Sequence, residues 1–170
     1  MSNFGASINK SNDGANPRSV RRLSVKHRLL IANRDVQWRE LYQRFFAELG
    51  YEVETAADGL DCLAKLRHAA PAMLVLDLEL PWGGGDGVLA WLHEESSAPK
   101  IPVLLMGSAA ALPDMTEFNE PHIVDYLPKP AGLTRLLDSI RSAFARTERG
   151  EPQNVNRVPR YSEFFTSSND

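Results

Sequence analysis

Two strand-like segments of this chain each end in a residue suited to phosphoryl chemistry. The apolar run 72–76 ends at Asp77, and the run 123–127 is followed closely by Lys129. A carboxylate can act as a nucleophile toward a phosphoryl group, and phosphoryl transfer depends mainly on positioning and charge neutralisation. Because the carboxyl ends of parallel strands meet at one edge of a sheet, we expect Asp77 and Lys129 to form a phosphoryl-accepting site.

These segments belong to an alternation of strand-like and helix-like patterns. Apolar residues at helical spacing follow the strand-like runs, Asp35 and Asp58 are typical helix N-caps, and Gly50 ends the first helix. This alternation predicts an α/β fold, a doubly wound five-stranded parallel sheet with helices on both faces. The strand-like runs are residues 29–32, 51–55, 72–77, 102–106 and 122–127.

Three further helices carry specific expectations. The helix after Asp58 is expected to carry Leu60, Leu63 and Leu66 on one face, with Cys62 as a small apolar filler. A short, weak helix is expected after Pro113. The final helix shows a clear amphipathic pattern, formed by Leu133, Leu136, Leu137, Ile140 and Phe144.

The two ends of the chain differ in composition from its middle. Residues 1–27 are rich in Ser, Asn and Gly, which predicts a disordered and basic N-terminal extension. Such an arm can contact nucleic acid, an anionic membrane or the acidic body of the protein, or simply be solvated. Residues 28–146 form the predicted folded domain, and residues 147–170 a polar C-terminal tail.

Composition excludes several classes of protein. Cys62 is the only cysteine, so the chain has no internal disulfide and no cysteine-rich zinc site. No apolar run approaches the length of a membrane span, and the amino terminus lacks the apolar core of a signal peptide. These features predict a cytoplasmic protein that does not enter the membrane.

The order of several short motifs resembles the receiver domain of bacterial response regulators. The resemblance covers about residues 28–146 and rests on Leu76-Asp77-Leu78-Glu79-Leu80-Pro81, on Asp86-Gly87, and on Asp125-Tyr126-Leu127-Pro128-Lys129-Pro130. It implies a flavodoxin-like sheet with strand order 2-1-3-4-5. It also implies a role in two-component phosphorelay signal transduction.

The resemblance assigns roles to individual residues. Asp77 matches the aspartate that accepts the phosphoryl group, and Lys129 matches the lysine that contacts this group. The backbone carbonyl of Glu79 falls on a family metal ligand, and Tyr126 on the aromatic switch position. Gly107 stands where the family usually carries Thr or Ser, and a register shift of one residue would bring Ser108 to that position instead.

The positions of the family's metal-binding acids depart from its pattern. Two acids that hold Mg²⁺ usually end the first strand, whereas this chain has Asn33 and Arg34. Because Mg²⁺ prefers carboxylate and water oxygens, these degenerate positions make Mg²⁺ a doubtful cofactor. One hypothesis is that Arg34 acts as a built-in cation that pairs with Asp77 or Glu79. The alternative is that Arg34 extends into solvent and leaves a weak metal site.

These observations favour a stand-alone, atypical receiver that is not an enzyme and acts by protein contacts. The expected partners are a histidine kinase or phosphotransfer protein and a downstream protein. The resemblance also allows a homodimer through the last two helices and the fifth strand. The chain is too short for the family's usual DNA-binding domain after Arg146.

Three alternatives to this interpretation stay open. One is a conventional phosphoryl-accepting single-domain response regulator. Another is a small nucleotide- or flavin-binding protein, although residues 32–35 lack the glycines of a phosphate loop. A hydrolase is the third, although no nucleophile elbow is present and the metal acids are missing.

Overall fold

The computed structural model describes residues 27–108 and 122–151, whose five strands form one parallel sheet. The strand order is β2-β1-β3-β4-β5, as predicted from the sequence. Each strand begins or ends within one residue of its predicted bounds. The strands are β1 (Arg28–Ala32), β2 (Glu52–Ala56), β3 (Met73–Asp77), β4 (Val103–Gly107) and β5 (Ile123–Pro128).

Within the part of the chain that the structure describes, four helices connect or follow these strands. The predicted caps are confirmed: Asp35 accepts hydrogen bonds from the backbone of Gln37 and Trp38, and Asp58 accepts one from Asp61. Each cap satisfies amide groups that the first turn of a helix leaves unpaired. The helices are α1 (Val36–Glu48), α2 (Gly59–His68), α3 (Gly84–Glu94) and α4 (Leu133–Glu148).

Helices cover both faces of the sheet, so alternate strand residues enter two separate cores. Leu29 and Ile31 pack with α1 and α4 on one face. Leu30 and Ala32 pack with α2 and α3 on the other face. The strands β1, β3 and β4 are therefore almost wholly apolar, as expected of parallel strands that are covered on both sides.

One leucine of the predicted apolar face of α2 is not part of the core. Leu60 is 63% exposed, whereas Cys62 and Leu66 of the same helix are buried. The backbone N–H of Leu60 donates to the carbonyl of Trp82. Leu60 therefore belongs to the first turn of α2, where the helix meets the loop after β3, and not to the stripe that faces the sheet.

Close backbone packing explains two glycines near this loop. A Cβ atom on Gly59 would lie 2.8 Å from the carbonyl oxygen of Trp82, and one on Gly85 would lie 2.7 Å from that of Asp77. Only glycine fits such close approaches. The glycine run also shapes the turn, because Gly83 has a φ of 94° and Gly84 begins α3.

Several expectations concern segments outside the described residues. These are the basic extension up to residue 26, the weak helix after Pro113 and most of the C-terminal tail. Among the helices that the structure describes, none has the length and apolar character needed to cross a membrane.

Candidate phosphoryl-acceptor site

Backbone hydrogen bonds bring the predicted site residues to one edge of the sheet. The N–H of Leu78, directly after Asp77, donates to the carbonyl of Met106 at 2.8 Å. The N–H of Lys129 donates to the carbonyl of Gly107 at 2.9 Å. The carboxyl ends of β3, β4 and β5 are therefore in register at this edge, and each contributes a residue to the site.

Asp77 and Lys129 are in direct contact. The Nζ atom of Lys129 lies 2.6 Å from Oδ1 of Asp77, and this oxygen also accepts the N–H of Glu79 at 2.9 Å. Asp77 is completely buried. Its other oxygen, Oδ2, is also buried and has no hydrogen-bond partner among the described residues.

Glu79 is a second carboxylate on the same lysine. Its Oε2 lies 3.0 Å from Lys129 Nζ, and its Oε1 accepts the hydroxyl of Ser108 at 3.0 Å. The hydrogen bond from Lys129 is the main cause that lowers the pKa of Glu79 below its ordinary value. Glu79 is therefore an ionised side chain that links β5 to the end of β4.

Tyr126 points inward at the same end of the sheet. Its side chain is 1% exposed, and its hydroxyl donates to the carbonyls of Gly107 and Ser108 at 2.9 and 3.0 Å. Burial, and then the negative charges of Glu79 and Asp77, raise the pKa of Tyr126 to about 12. Gly107 thus contributes its backbone carbonyl, while the available hydroxyl belongs to Ser108.

The predicted metal positions, Asn33 and Arg34, line the same cavity as Asp77, but among the described residues neither forms a hydrogen bond or an ion pair with it. Asn33 is buried, and its side-chain oxygen accepts the N–H of Asp35 at 2.9 Å. Arg34 is exposed, and within the described ranges it forms no ion pair with Asp77 or Glu79; Lys129 pairs with both instead. The hypothesis that Arg34 is the built-in partner of these acids is therefore not supported by the structure.

An open cavity of about 290 Å³ adjoins Asp77. Sequence reasoning missed two residues that line this cavity, Trp38 and Tyr42. Their rings are stacked, with centroids 5.4 Å apart. Burial and the charge of Asp77 raise the pKa of Tyr42 to about 12. The lining residues are Asn33, Arg34, Asp35, Trp38, Tyr42, Asp77, Met106, Lys129, Pro130 and Ala131.

Arg39 is another residue that sequence reasoning missed. Its Nη1 donates to the carbonyls of Asn33 and Arg34 at 2.7 and 2.9 Å. Arg39 stands one helical turn after the N-cap Asp35, and this spacing is the signal that would have placed it near the end of β1. It fixes the backbone of the loop that carries the two degenerate positions.

The residues of this site do not fit the Mg²⁺ that the resemblance implies. Between residues 27 and 108 and between 122 and 151, no three His, Cys, Asp or Glu side chains are grouped to hold a metal ion. Glu79 is held by Lys129, and Asp35 caps α1. Asp77 therefore offers one unpartnered carboxylate oxygen, and Arg34 brings a positive charge to the same cavity.

Solved structures with a similar backbone are receiver domains. A response regulator receiver domain protein (CheY-like) from Methanospirillum hungatei has a TM-score of 0.66 at 24% identity and covers 74% of this chain and 98% of its own. The signal receiver domain of a putative Luxo repressor protein from Vibrio parahaemolyticus has a TM-score of 0.65 at 21% identity, over 74% and 95% of the two chains. At these identities the likeness shows the fold.

Curated proteins with a similar sequence are longer than this chain. A probable transcriptional regulator, ycf27 of Cyanophora paradoxa, is 33% identical over 72% of this chain and 50% of its own length. The response regulator MprA of Mycobacterium ulcerans is 29% identical over 77% and 56%. The chain thus spans about half the length of the curated relatives it matches.

The match to a protein-family model covers most of the described fold. The model for the response regulator receiver domain matches residues 29–141, a range that begins in β1 and ends in α4 and includes every residue of the site. Together with the confirmed strand order, this match shows that the chain belongs to the response regulator receiver domain family, the signalling domains of two-component systems.

Proposed function

We propose that this chain is an atypical receiver, in which the Mg²⁺-dependent phosphorylation of Asp77 is weak, and which signals through protein contacts. The observation that carries the proposal is the sharing of Lys129 between Asp77 and Glu79, at 2.6 and 3.0 Å. The lysine is thereby engaged by carboxylates of the protein itself, while Asn33 and Arg34 replace the metal-binding acids.

The balance of charge supports this proposal. In the family pattern three acids face one lysine, and a divalent cation offsets the excess negative charge. Here Asn33 is neutral. The two positive charges of Arg34 and Lys129 therefore balance the two negative charges of Asp77 and Glu79. A site that is balanced by its own side chains gains less from binding a cation, because the attraction between the ion and the site is smaller.

The proposed output is binding to other proteins rather than catalysis. A histidine kinase or phosphotransfer protein would approach the edge that carries Asp77, and a downstream protein would bind the face formed by β5 and α4. On that face Ser139 donates to Asp125 at 2.7 Å, and Arg146 donates to the carbonyl of Val124. A homodimer through this face belongs to the same proposal.

A conventional phosphoryl-accepting receiver is the second candidate. One observation favours it, namely that Asp77 Oδ2 is unpartnered among the described residues while Asp77 lines an open cavity. This oxygen would be available to attack a phosphoryl donor. The two candidates differ in how strongly the site responds to Mg²⁺.

The test is a titration of the protein with beryllium fluoride and Mg²⁺, followed by amide NMR. Beryllofluoride on Asp77 stands in for a phosphoryl group. We expect little change at the amides of Asp77, Lys129 and Tyr126 at millimolar Mg²⁺. Strong, saturable shifts that disappear in Asp77→Ala would contradict the proposal and establish the conventional receiver.

Replacement of Arg34 sharpens this test. Arg34→Asp restores an acid at a family metal position and should create Mg²⁺ affinity and a beryllofluoride response. The matched control is Arg44→Asp, which makes the same change of charge on the exposed surface of α1. If Arg34→Asp binds Mg²⁺ no better than Arg44→Asp does, Arg34 is not what weakens the site.

A further inference from the structure

We infer that the carboxylate of Glu79 is an internal substitute for a phosphoryl group, which holds Ser108 and Tyr126 in place while Asp77 is unmodified. This inference rests on the proposed receiver function and names the residue that regulates its site. It is carried by a continuous set of contacts that joins Lys129, Glu79, Ser108 and Tyr126.

Glu79 accepts hydrogen bonds from two donors that a phosphoryl group on Asp77 would attract. An acyl phosphate on Asp77 would place an anion beside the ammonium of Lys129 and would attract nearby hydroxyl donors. In the structure, Glu79 already receives both kinds of donor. Oε2 accepts a hydrogen bond from the ammonium of Lys129, and Oε1 accepts one from the hydroxyl of Ser108, each at 3.0 Å.

Ser108, one of these two donors, is in turn hydrogen-bonded to Tyr126. Because its hydroxyl is held by Glu79, Ser108 is fixed at the end of β4. Its carbonyl, with that of Gly107, then accepts the hydroxyl of Tyr126. The buried position of Tyr126 is thus tied to a negative charge that the protein supplies, so it does not require a phosphoryl group.

The position of Glu79 also affects what phosphorylation of Asp77 would change. A phosphoryl group there would compete with Glu79 for Lys129, and the two anions would repel each other across a short distance. Glu79 is 30% exposed in its side chain, so it has a path to solvent. Phosphorylation of Asp77 would therefore exchange one anion for another with little change at Tyr126.

The test measures the exposure of Tyr126 without Mg²⁺ or any phosphodonor. The protein is labelled with 3-fluorotyrosine, the Tyr126 signal is assigned with Tyr126→Phe, and its line broadening by a soluble paramagnetic agent is recorded by ¹⁹F NMR. We expect Tyr126 to be protected in the parent protein. Loss of a charge-assisted hydrogen bond in Glu79→Ala should raise the population of the exposed conformer about tenfold.

Two further variants keep this test decisive. Ser108→Ala leaves the pair of Glu79 and Lys129 intact but cuts the link to β4, so it should also expose Tyr126. Glu94→Gln removes an exposed acid at the end of α3 and should leave Tyr126 protected. The inference is overturned if Tyr126 is already exposed in the parent, or stays protected in either folded variant, Glu79→Ala or Ser108→Ala.

This result is separate from that of the Mg²⁺ titration. Release of Tyr126 in Glu79→Ala would support the substitute role even if the parent protein proved to bind Mg²⁺ well. Conversely, protection of Tyr126 in that variant would reject the substitute role and leave the weak metal site at Asn33 and Arg34 to be judged by its own experiment.

Discussion

The ammonium of Lys129 lies 2.6 Å from the carboxylate of Asp77. This contact joins the ends of β3 and β5, which are separated by β4 in the sheet. Asp77 is completely buried, whereas the lysine side chain is 25% exposed. The lysine thus compensates a charge that would otherwise be costly to bury.

We predict that Lys129→Ala lowers the free energy of unfolding by about 3 kcal/mol, because the buried Asp77 loses the partner of its charge. Asp77→Asn should cost less, since an amide oxygen can still accept the N–H of Glu79. Urea denaturation at neutral pH measures both effects.

The double variant provides the control for this prediction. If the main cost of Lys129→Ala is an unpaired charge on Asp77, adding Asp77→Asn should recover about 2 kcal/mol of that cost. Additive effects of the two substitutions would show that Lys129 stabilises the protein in some other way, such as packing of its methylene groups.

A second prediction concerns two glycines of α3. A Cβ atom on Gly85 would lie 2.6 Å from Cα of Leu78, whereas one on Gly87 would meet nothing within 4 Å. Gly85→Ala should therefore destabilise the fold by about 2 kcal/mol. Gly87→Ala should stabilise it by about 1 kcal/mol, because alanine is the better helix former. Thermal unfolding of the two variants tests whether their stability changes in opposite directions. A change in the same direction in both would contradict the packing argument.

Much of the fold could be predicted because its pattern is local and repeated. Apolar strand runs, the caps Asp35 and Asp58 and the stop at Gly50 each depend on residues close in sequence, and the structure confirms them. Leu60 was misplaced because helical spacing alone does not show where a helix meets a neighbouring loop. Its exposure depends on a contact with Trp82, 22 positions later in the chain.

The site was predictable in position but not in its pairing. The strand ends place Asp77 and Lys129 at one edge, and in the structure the two side chains are in contact. Sequence reasoning offered Arg34 as a partner of Asp77 or Glu79, whereas Lys129 pairs with both. Arginine and lysine have long side chains with several rotamers, so their reach depends on the backbone direction at each strand end.

A third prediction concerns pH. Lys129 lowers the pKa of Glu79 in the folded protein from its ordinary value of 4.5. A lowered pKa means that the carboxylate contributes stability above about pH 4.3, the usual value in an unfolded chain, and loses it as the pH falls through the folded pKa. The difference in unfolding free energy between the parent and Glu79→Gln should therefore be constant from neutral pH to about pH 5 and shrink below about pH 4.

The measurement for this prediction is urea denaturation of both proteins over that pH range. The two proteins differ only at residue 79, so the difference between their curves reports the effect of Glu79. A difference that grows on acidification would have the wrong sign and would contradict the pairing of Glu79 with Lys129.

A fourth prediction concerns the backbone of Trp82. This residue has a φ of 48°, in the left-handed region, and its side chain is 76% exposed. The conformation costs most residues about 1–2 kcal/mol but is tolerated by asparagine. An exposed indole recovers little of that cost through burial, so Trp82→Asn should raise the free energy of unfolding by about 1 kcal/mol.

Ala70 provides the matched control, because it is exposed, has a φ of 44° and carries almost no side chain. Ala70→Asn should raise the free energy of unfolding by a similar amount, because asparagine tolerates the left-handed conformation at this position too. Equal gains, measured by urea denaturation, would mean that the indole of Trp82 adds nothing to folding. A gain in Ala70→Asn with a loss in Trp82→Asn would mean instead that the indole stabilises the turn that leads from β3 into α3.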